Sequence, residues 1–489
     1  MENDTPNPEP PESPATDGTP AIKLNIKRSL LIGLGFMTTA IAWTFYNFQI
    51  PLVFRDFLLN IPDRDLIIGF LMTLDNIIAV PVQPFFGALS DRLHSKIGRR
   101  MPFITIGIIG AAIFFIIAPF MPDFASFLAV IICFNVMMAL YRAPVVALMP
   151  DMTPAPVRSK GNALINLMGG VGTILGYVIR VVGSQTLSFI LVSVIMLVSL
   201  AILFLTIKET PTGTQFFQVG KDVIHVDPLT QELTPEEQIK KEDIGHSKSR
   251  WGDLRDIARE KEKSGLWMLL SIFMLVFAYN ALETFYSTLL TQFYLNDAGF
   301  LAAHAGLTAV QLADAAQKSA ATLTILLPVM FIIATIPGGI LGEKIGRRLT
   351  IKIGLVIMIA ASVLILIFPQ LAVVPILVSV AGIGYGFVNV NTIVVIWQLA
   401  PKGRIGSYTG VYYLFSILAQ ILSPPLIGGI FSLEASAGLP SVTVYLAIFP
   451  YVIVCIFLSL LFIMRVKRGE AKLSKQELVA LRLQYEEDD

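Results

Sequence analysis

The stretch "GALSDRLHSKIGRRMP" (87–102) sets Asp91, four basic residues, Arg92, Lys96, Arg99 and Arg100, and His94 directly between two long apolar runs. A shorter form, "GGILGEKIGRRLT" (338–350), returns about 250 residues later, again between apolar runs. Around these clusters the chain is 55% hydrophobic and 15% charged, with a mean hydropathy of +0.72. Soluble domains carry roughly a quarter charged residues, so this composition describes a membrane protein.

Apolar runs of about 20 residues, long enough to cross a hydrocarbon core roughly 30 Å thick, recur along the chain. Twelve are predicted, near 29–50, 66–89, 102–121, 124–149, 161–183, 186–207, 266–291, 319–342, 350–368, 371–398, 407–431 and 441–464. The expected fold class is therefore all-α, with twelve transmembrane helices. The 36 Lys and Arg, apart from Arg55, Arg64, Arg142, Arg180 and Lys318, fall on the tails or on alternate loops. Because cytoplasmic loops carry the basic excess, both termini and the long middle loop are expected in the cytosol.

The expected domains are an acidic, proline-rich tail (1–28), a first six-helix unit (29–207), a polar cytosolic linker (208–265), a second six-helix unit (266–464) and a C-terminal tail (465–489). The opening of the first tail lacks a basic start and an apolar run, unlike a secretory signal. Within the linker, "TPEEQIKKE" and "WGDLRDIAREKEK" have the composition of short helices at the membrane surface. The two charge clusters occupy equivalent places, between spans 2 and 3 and between spans 8 and 9, so the halves repeat. Parallel six-span units with a substrate site at their interface are one standard way of building a transporter. Cys133 and Cys455 both fall in predicted spans and read as packing residues, and no zinc-ligand pair, phosphate loop or nucleophile motif occurs. Neither an enzyme, nor a metal or cofactor site, nor a nucleic-acid partner is expected.

The cluster Gly87, Asp91, Arg92, Gly98, Arg99, Arg100 resembles the cytosolic signature of the major facilitator superfamily, with four extra residues before Gly-Arg-Arg. Its echo, Glu343, Gly346, Arg347 and Arg348 after Gly338–Gly339, is similar and uninterrupted. The resemblance implies a gate, in which an acid at a helix end sits against a neighbouring helix N-terminus or an arginine until the halves rock. "VQPFFGALSDRLHSKIGRRMPFI" (82–104), "YRAPVVALMPD" (141–151) and "NALINLMGGVGTILGY" (162–177) resemble plant sucrose carriers and related proton-coupled sugar carriers in the glycoside-pentoside-hexuronide symporter group. That resemblance implies import of a disaccharide or glycoside, such as sucrose or maltose, with a proton. A monomer in the plasma or inner membrane is expected. Proton-driven export of a drug or metabolite, sodium-coupled sugar import and a non-transporting receptor are the alternatives.

Ionisable residues inside a bilayer cost roughly 2.5–3.5 kcal/mol each on insertion scales, so each needs a reason. Arg142 is nine residues from Asp151, about 14 Å, which puts it near mid-membrane. Asp75 and Glu283 sit roughly 25 Å from the inner face by the same rise. A buried guanidinium offers a fixed fork of donors to hydroxyls or a carboxylate, and a membrane carboxyl can load and release protons. Asp75 and Glu283 are thus the proton-coupling candidates. Arg142, Asn47, Asn76, Asn280, Asn389, Asn391, Tyr412 and Gln420 are the substrate-binding candidates, with Tyr46, Gln49 and Tyr279 at similar depth. Arg180 is expected near the outer surface with its side chain reaching water. Sucrose carriers pair the arginine equivalent to Arg142 with an aspartate earlier on the same helix. Here the comparable positions, Ile131 to Asn135, offer no acid.

Overall fold

The computed structural model describes residues 24–93, 95–153, 158–209, 215–219, 222–226, 263–400 and 405–468. The two linker helices expected from sequence lie outside them. Among the described residues twelve helices are long and apolar enough to cross a membrane. In order they are Ile26–Phe57, Arg64–Arg92, Met101–Phe120, Phe124–Met152, Gly161–Val182, Gln185–Thr206, Ser264–Asn296, Ala309–Ile345, Arg347–Ile367, Val374–Leu399, Tyr408–Ser436 and Ser441–Met464, called spans 1 to 12. Each overlaps one predicted run. The linker also contributes an antiparallel ribbon, Gln215–Val219 paired with Asp222–Val226, which the sequence reading did not anticipate.

Span 1 packs on spans 5 and 6, span 4 on spans 2 and 3; correspondingly, span 7 packs on spans 11 and 12, and span 10 on spans 8 and 9. Between the halves, span 2 lies against span 11, span 5 against span 8, and span 1 against span 7. Adding six to the span number exchanges the first two of these pairs, as a two-fold axis relating the halves requires. Twelve crossings put both ends of the described chain on one side, here called the terminal face.

Gly98 and Gly346 share a φ of 104°, each just before the helix that follows its charge cluster. That conformation penalises any residue with a Cβ, so the repeated glycine is a matched backbone turn in the two halves. At Gly172 a Cβ would lie 2.6 Å from the Met37 carbonyl oxygen. The missing side chain is what lets span 5 close on span 1.

Three spans carry a one-residue irregularity at which the backbone stays in the right-handed helical region. Span 2 breaks at Thr73, between Arg64–Met72 and Leu74–Arg92, placing Asp75 in the first turn of the second piece. Span 8 breaks at Ile325, between Ala309–Thr324 and Leu326–Ile345. Span 12 breaks at Ala447. Span 8 also starts ten residues before its predicted run, on a capping box in which Thr308 and Gln311 satisfy each other's backbone N–H groups. Lys318, one residue outside the predicted run, is therefore on this helix.

Candidate functional site

A cavity of about 400 Å³ lies between the halves. Span 1 contributes Trp43 and Asn47, span 2 Asp75 and Asn76, span 4 Arg142, span 5 Thr173, span 7 Asn280 and Glu283, and span 11 Gln420. Seven sequence-predicted candidates, separated by as many as 373 positions in the chain (Asn47 to Gln420), thus converge on one space. The amide of Asn47 donates to Glu283 Oε1 at 2.9 Å, joining span 1 of one half to span 7 of the other. Asn76 donates to Asp75 Oδ1 at 2.9 Å. Asp75, Arg142 and Glu283 are all within electrostatic range of one another. Among the described residues no ion pair within 4.0 Å ties Arg142 to either acid, and its side chain is solvent-accessible despite its mid-span position. A guanidinium held near two carboxylates, and in contact with neither, keeps its donors available to a ligand.

Asn389, Asn391 and Tyr412 do not line this cavity. Asn391 is buried and donates 2.9 Å bonds to the carbonyls of Gly338 and Phe387, bracing span 10 against span 8. Asn389 is directed at the Tyr385 hydroxyl, and Tyr412 packs edge-on to Tyr413. Tyr46 is also withdrawn, stacked on Phe134 with its hydroxyl accepting from Asn135. Sequence reasoning missed Trp43, whose indole N–H is buried without a partner beside the cavity. Counted as an apolar residue in an apolar run, it gives no signal.

Beyond the cavity, away from the terminal face, the halves are bolted together. Arg180 is fully buried, which overturns the expectation that it reaches water. Its Nη2 meets Asp314 Oδ1 and Gln317 Oε1, both at 2.8 Å, and its Nε donates to Gln49 Oε1 at 2.8 Å. Gln49 in turn donates to Gln317 at 3.2 Å. Span 5 and span 1 are tied in this way to the polar start of span 8. A second tie joins spans 1, 2 and 12: Arg55 donates to the Tyr445 hydroxyl, which donates to Asp65 at 2.7 Å.

At the terminal face, the first cluster binds itself within one half. Arg99 and Arg100 both pair with Asp151 at the end of span 4, at 2.9 and 3.0 Å, and Arg100 also pairs with Asp91 and donates to Ser90 at 2.6 Å. Glu209, just past span 6 and unremarked in the sequence, accepts from the backbone N–H groups of Arg100 and Met101 at 2.8 and 3.1 Å. It caps span 3 at the positive end of the helix dipole. Its carboxyl is nonetheless raised above the ordinary range, because burial outweighs those hydrogen bonds. In the second half Arg348 donates to the Val466 carbonyl just past span 12 at 2.6 Å, the matching position, while Glu343 is exposed. Among the described residues these contacts clamp helices within each half, so they staple each bundle.

Two six-helix halves enclosing a polar cavity, sealed toward one face, define a membrane transporter. The chain belongs to the major facilitator superfamily, whose sequence model matches residues 32–316 and again 305–484. Among solved structures it is similar to a bacterial homologue of the human lysosomal transporter Spinster in an inward-facing, unoccupied conformation. That likeness has a TM-score of 0.65 and 15% identity and covers 92% of this chain and 98% of that one. It is similar as well to the nucleoside transporter NupG (0.62, 14%, 91% and 100%) and to a bacterial homologue of the iron transporter ferroportin (0.56, 13%, 91% and 99%). At these identities the likeness establishes the fold. No curated protein sequence matches the chain significantly.

Proposed function

We propose that the chain imports a sugar, a disaccharide or glycoside such as sucrose or maltose, together with a proton by alternating access. The observation that carries this reading is the composition of the central cavity: one arginine, two carboxyls, four side-chain amides and an indole converge on about 400 Å³. Ligand sites begin at roughly 300 Å³, so a disaccharide is within range. Amides and a guanidinium suit hydroxyl-rich rims, and the indole face suits the C–H face of a pyranose. Asp75 and Glu283 are the candidates for the proton, and Arg142 is the principal substrate anchor. The basic terminal face is the cytosolic one, so the conformation described is open inward, with the Arg180 and Tyr445 ties closing the outer side.

The test is the external pH of lightly buffered, de-energised cells expressing the chain, after pulses of sucrose, maltose and melibiose, with an empty-vector control. Sugar-dependent alkalinisation is expected. Sugar entry without proton movement would remove the proton from the reading. No entry of any sugar, in cells shown to carry the protein at the surface, would overturn import.

A further inference from the structure

Glu283 borders two spaces. One is the central cavity. The other is a chamber of about 30 Å³, lined by Glu283, Tyr279, Tyr286 and Ser287 of span 7, Tyr177 of span 5 and Thr324 of span 8. Span 7 runs from the terminal face at Ser264 outward, so Tyr286 and Ser287, three and four residues past Glu283, lie about 5–6 Å further from that face. Tyr279, four residues before Glu283, lines it as well, so the chamber runs along span 7 past the carboxylate and is a space distinct from the substrate cavity. Beyond it stands the Arg180–Asp314–Gln317 tie, with Gln317 about 10 Å further along span 8 than Thr324.

Two features of this chamber call for a ligand. The Tyr286 hydroxyl and Ser287 Oγ are buried, at 4% and 2% residue exposure, and neither has a hydrogen-bond partner. Leaving two buried hydroxyls unmatched costs on the order of 1–3 kcal/mol each, which a bound species would recover. The second feature is the kink in span 8 at Ile325, where Pro328 has no N–H to donate to the carbonyl of Thr324, a residue of the chamber wall. A carbonyl released from its helical donor is a partial negative charge, and distorted helices in transporters present such carbonyls to cations. A volume near 30 Å³ admits one water-sized species and excludes a sugar.

We propose that this chamber is a binding site for one small monovalent cation, hydronium or sodium, with Glu283 as its anionic ligand and the Tyr286 and Ser287 hydroxyls as neutral ligands. The site deepens the symport reading and rests on it for its purpose. It gives the coupling ion a place separate from the substrate while leaving both on the same carboxylate. Asn47, which bonds Glu283 from the opposite half, then links occupancy of the site to the approach of spans 1 and 7. The charged and titratable groups facing Glu283 are Asp75 from span 2, Arg142 from span 4, Tyr177 from span 5, Tyr279 on its own helix and Tyr385 from span 10.

The experiment uses purified full-length chain in detergent and no sugar. Binding of radioactive sodium is measured at pH 6 to 8.5 for the wild type, E283Q, S287A and the Y286F/S287A double variant, each checked for an unchanged melting temperature. In parallel, infrared difference spectra follow the carboxyl band that E283Q abolishes. Saturable sodium binding that protons displace, at least tenfold weaker in Y286F/S287A and absent in E283Q, identifies sodium. No sodium binding, with a Glu283 titration midpoint displaced in Y286F/S287A, identifies hydronium. No sodium binding and an undisplaced midpoint would overturn the site. A failure here leaves sugar flux untouched, and a failure of sugar flux leaves these two readouts standing.

Discussion

Arg142 holds its position by exclusion. It shares the cavity with Asp75 and Glu283, is paired with neither, and is reached by solvent at mid-span. Replacing it by lysine keeps the charge and removes the planar fork, so substrate contacts that need two parallel donors are lost. We expect R142K to weaken sugar binding by one to two orders of magnitude, about 1.5–3 kcal/mol, in an equilibrium binding assay. E283Q keeps an oxygen acceptor for Asn47 and cannot ionise. It is expected to retain sugar exchange across the membrane while losing sugar-driven proton movement, which separate exchange and pH assays distinguish. Glu209 supplies a pH prediction outside the membrane. Its carboxyl is raised above 4.5 in the folded protein. Folding therefore favours its protonated form, and its contribution is fullest below 4.5 and declines as pH rises through the raised value. The melting temperature of E209Q relative to wild type should accordingly improve as pH climbs across that interval. At this scale the sequence was informative wherever a charge broke an apolar run, because the insertion cost of Asp75, Arg142 and Glu283 makes each conspicuous. Glu209 was hidden for the converse reason: one acid among many in a polar linker costs nothing to place.

Among the elements, span 8 shows what hydropathy can and cannot see. Its apolar part was legible as 319–342, whereas its first turns, "AVQLADAAQKS", are too polar to register as a span. Yet Asp314, Gln317 and Lys318 recur at three- and four-residue spacing, one face of a helix, and that face meets Arg180. The break at Ile325 is announced by Pro328, which has no N–H to give the Thr324 carbonyl and crowds the turn before it, whereas nothing in the sequence marks the one at Thr73. The Arg180 tie makes an asymmetric prediction. In R180A, Asp314 keeps Lys318 at 3.0 Å and is left with a partner. In D314A, a fully buried guanidinium loses its counter-ion and keeps only carbonyl acceptors, a defect of about 3–5 kcal/mol when a buried pair is broken. Outward opening relieves that defect by hydrating Arg180. D314A should therefore shift the conformational equilibrium toward the outward-open form more than R180A does. Alkylation of a cysteine introduced at Thr173, by an impermeant reagent added from outside, reports the shift.

The whole molecule is legible as a repeat because each half carries the same charge cluster with the same glycine turn, Gly98 and Gly346. What no repeat could reveal is the conformation, since the same two bundles can close at either face. Here the ties at the face away from the termini cross between halves, while the contacts described above for the signature motifs lie within them, so motion must open the former as rigid bundles rock. Fixing one of those ties should consequently stop transport without disturbing either bundle. Gln49 and Gln317 meet at the tips of their side chains, at 3.2 Å, so cysteines there call for a linker longer than a disulfide. In a background where Cys133 and Cys455 are replaced by serine, Q49C/Q317C joined by a short bis-thiosulfonate linker should lose sugar flux and recover it on reduction. A control pair inside one bundle, S271C/S459C, bridges spans 7 and 12 of the same half and should transport whether linked or not. Flux surviving the first cross-link would mean that the halves need not separate at this face, and the rocking reading would fall with it.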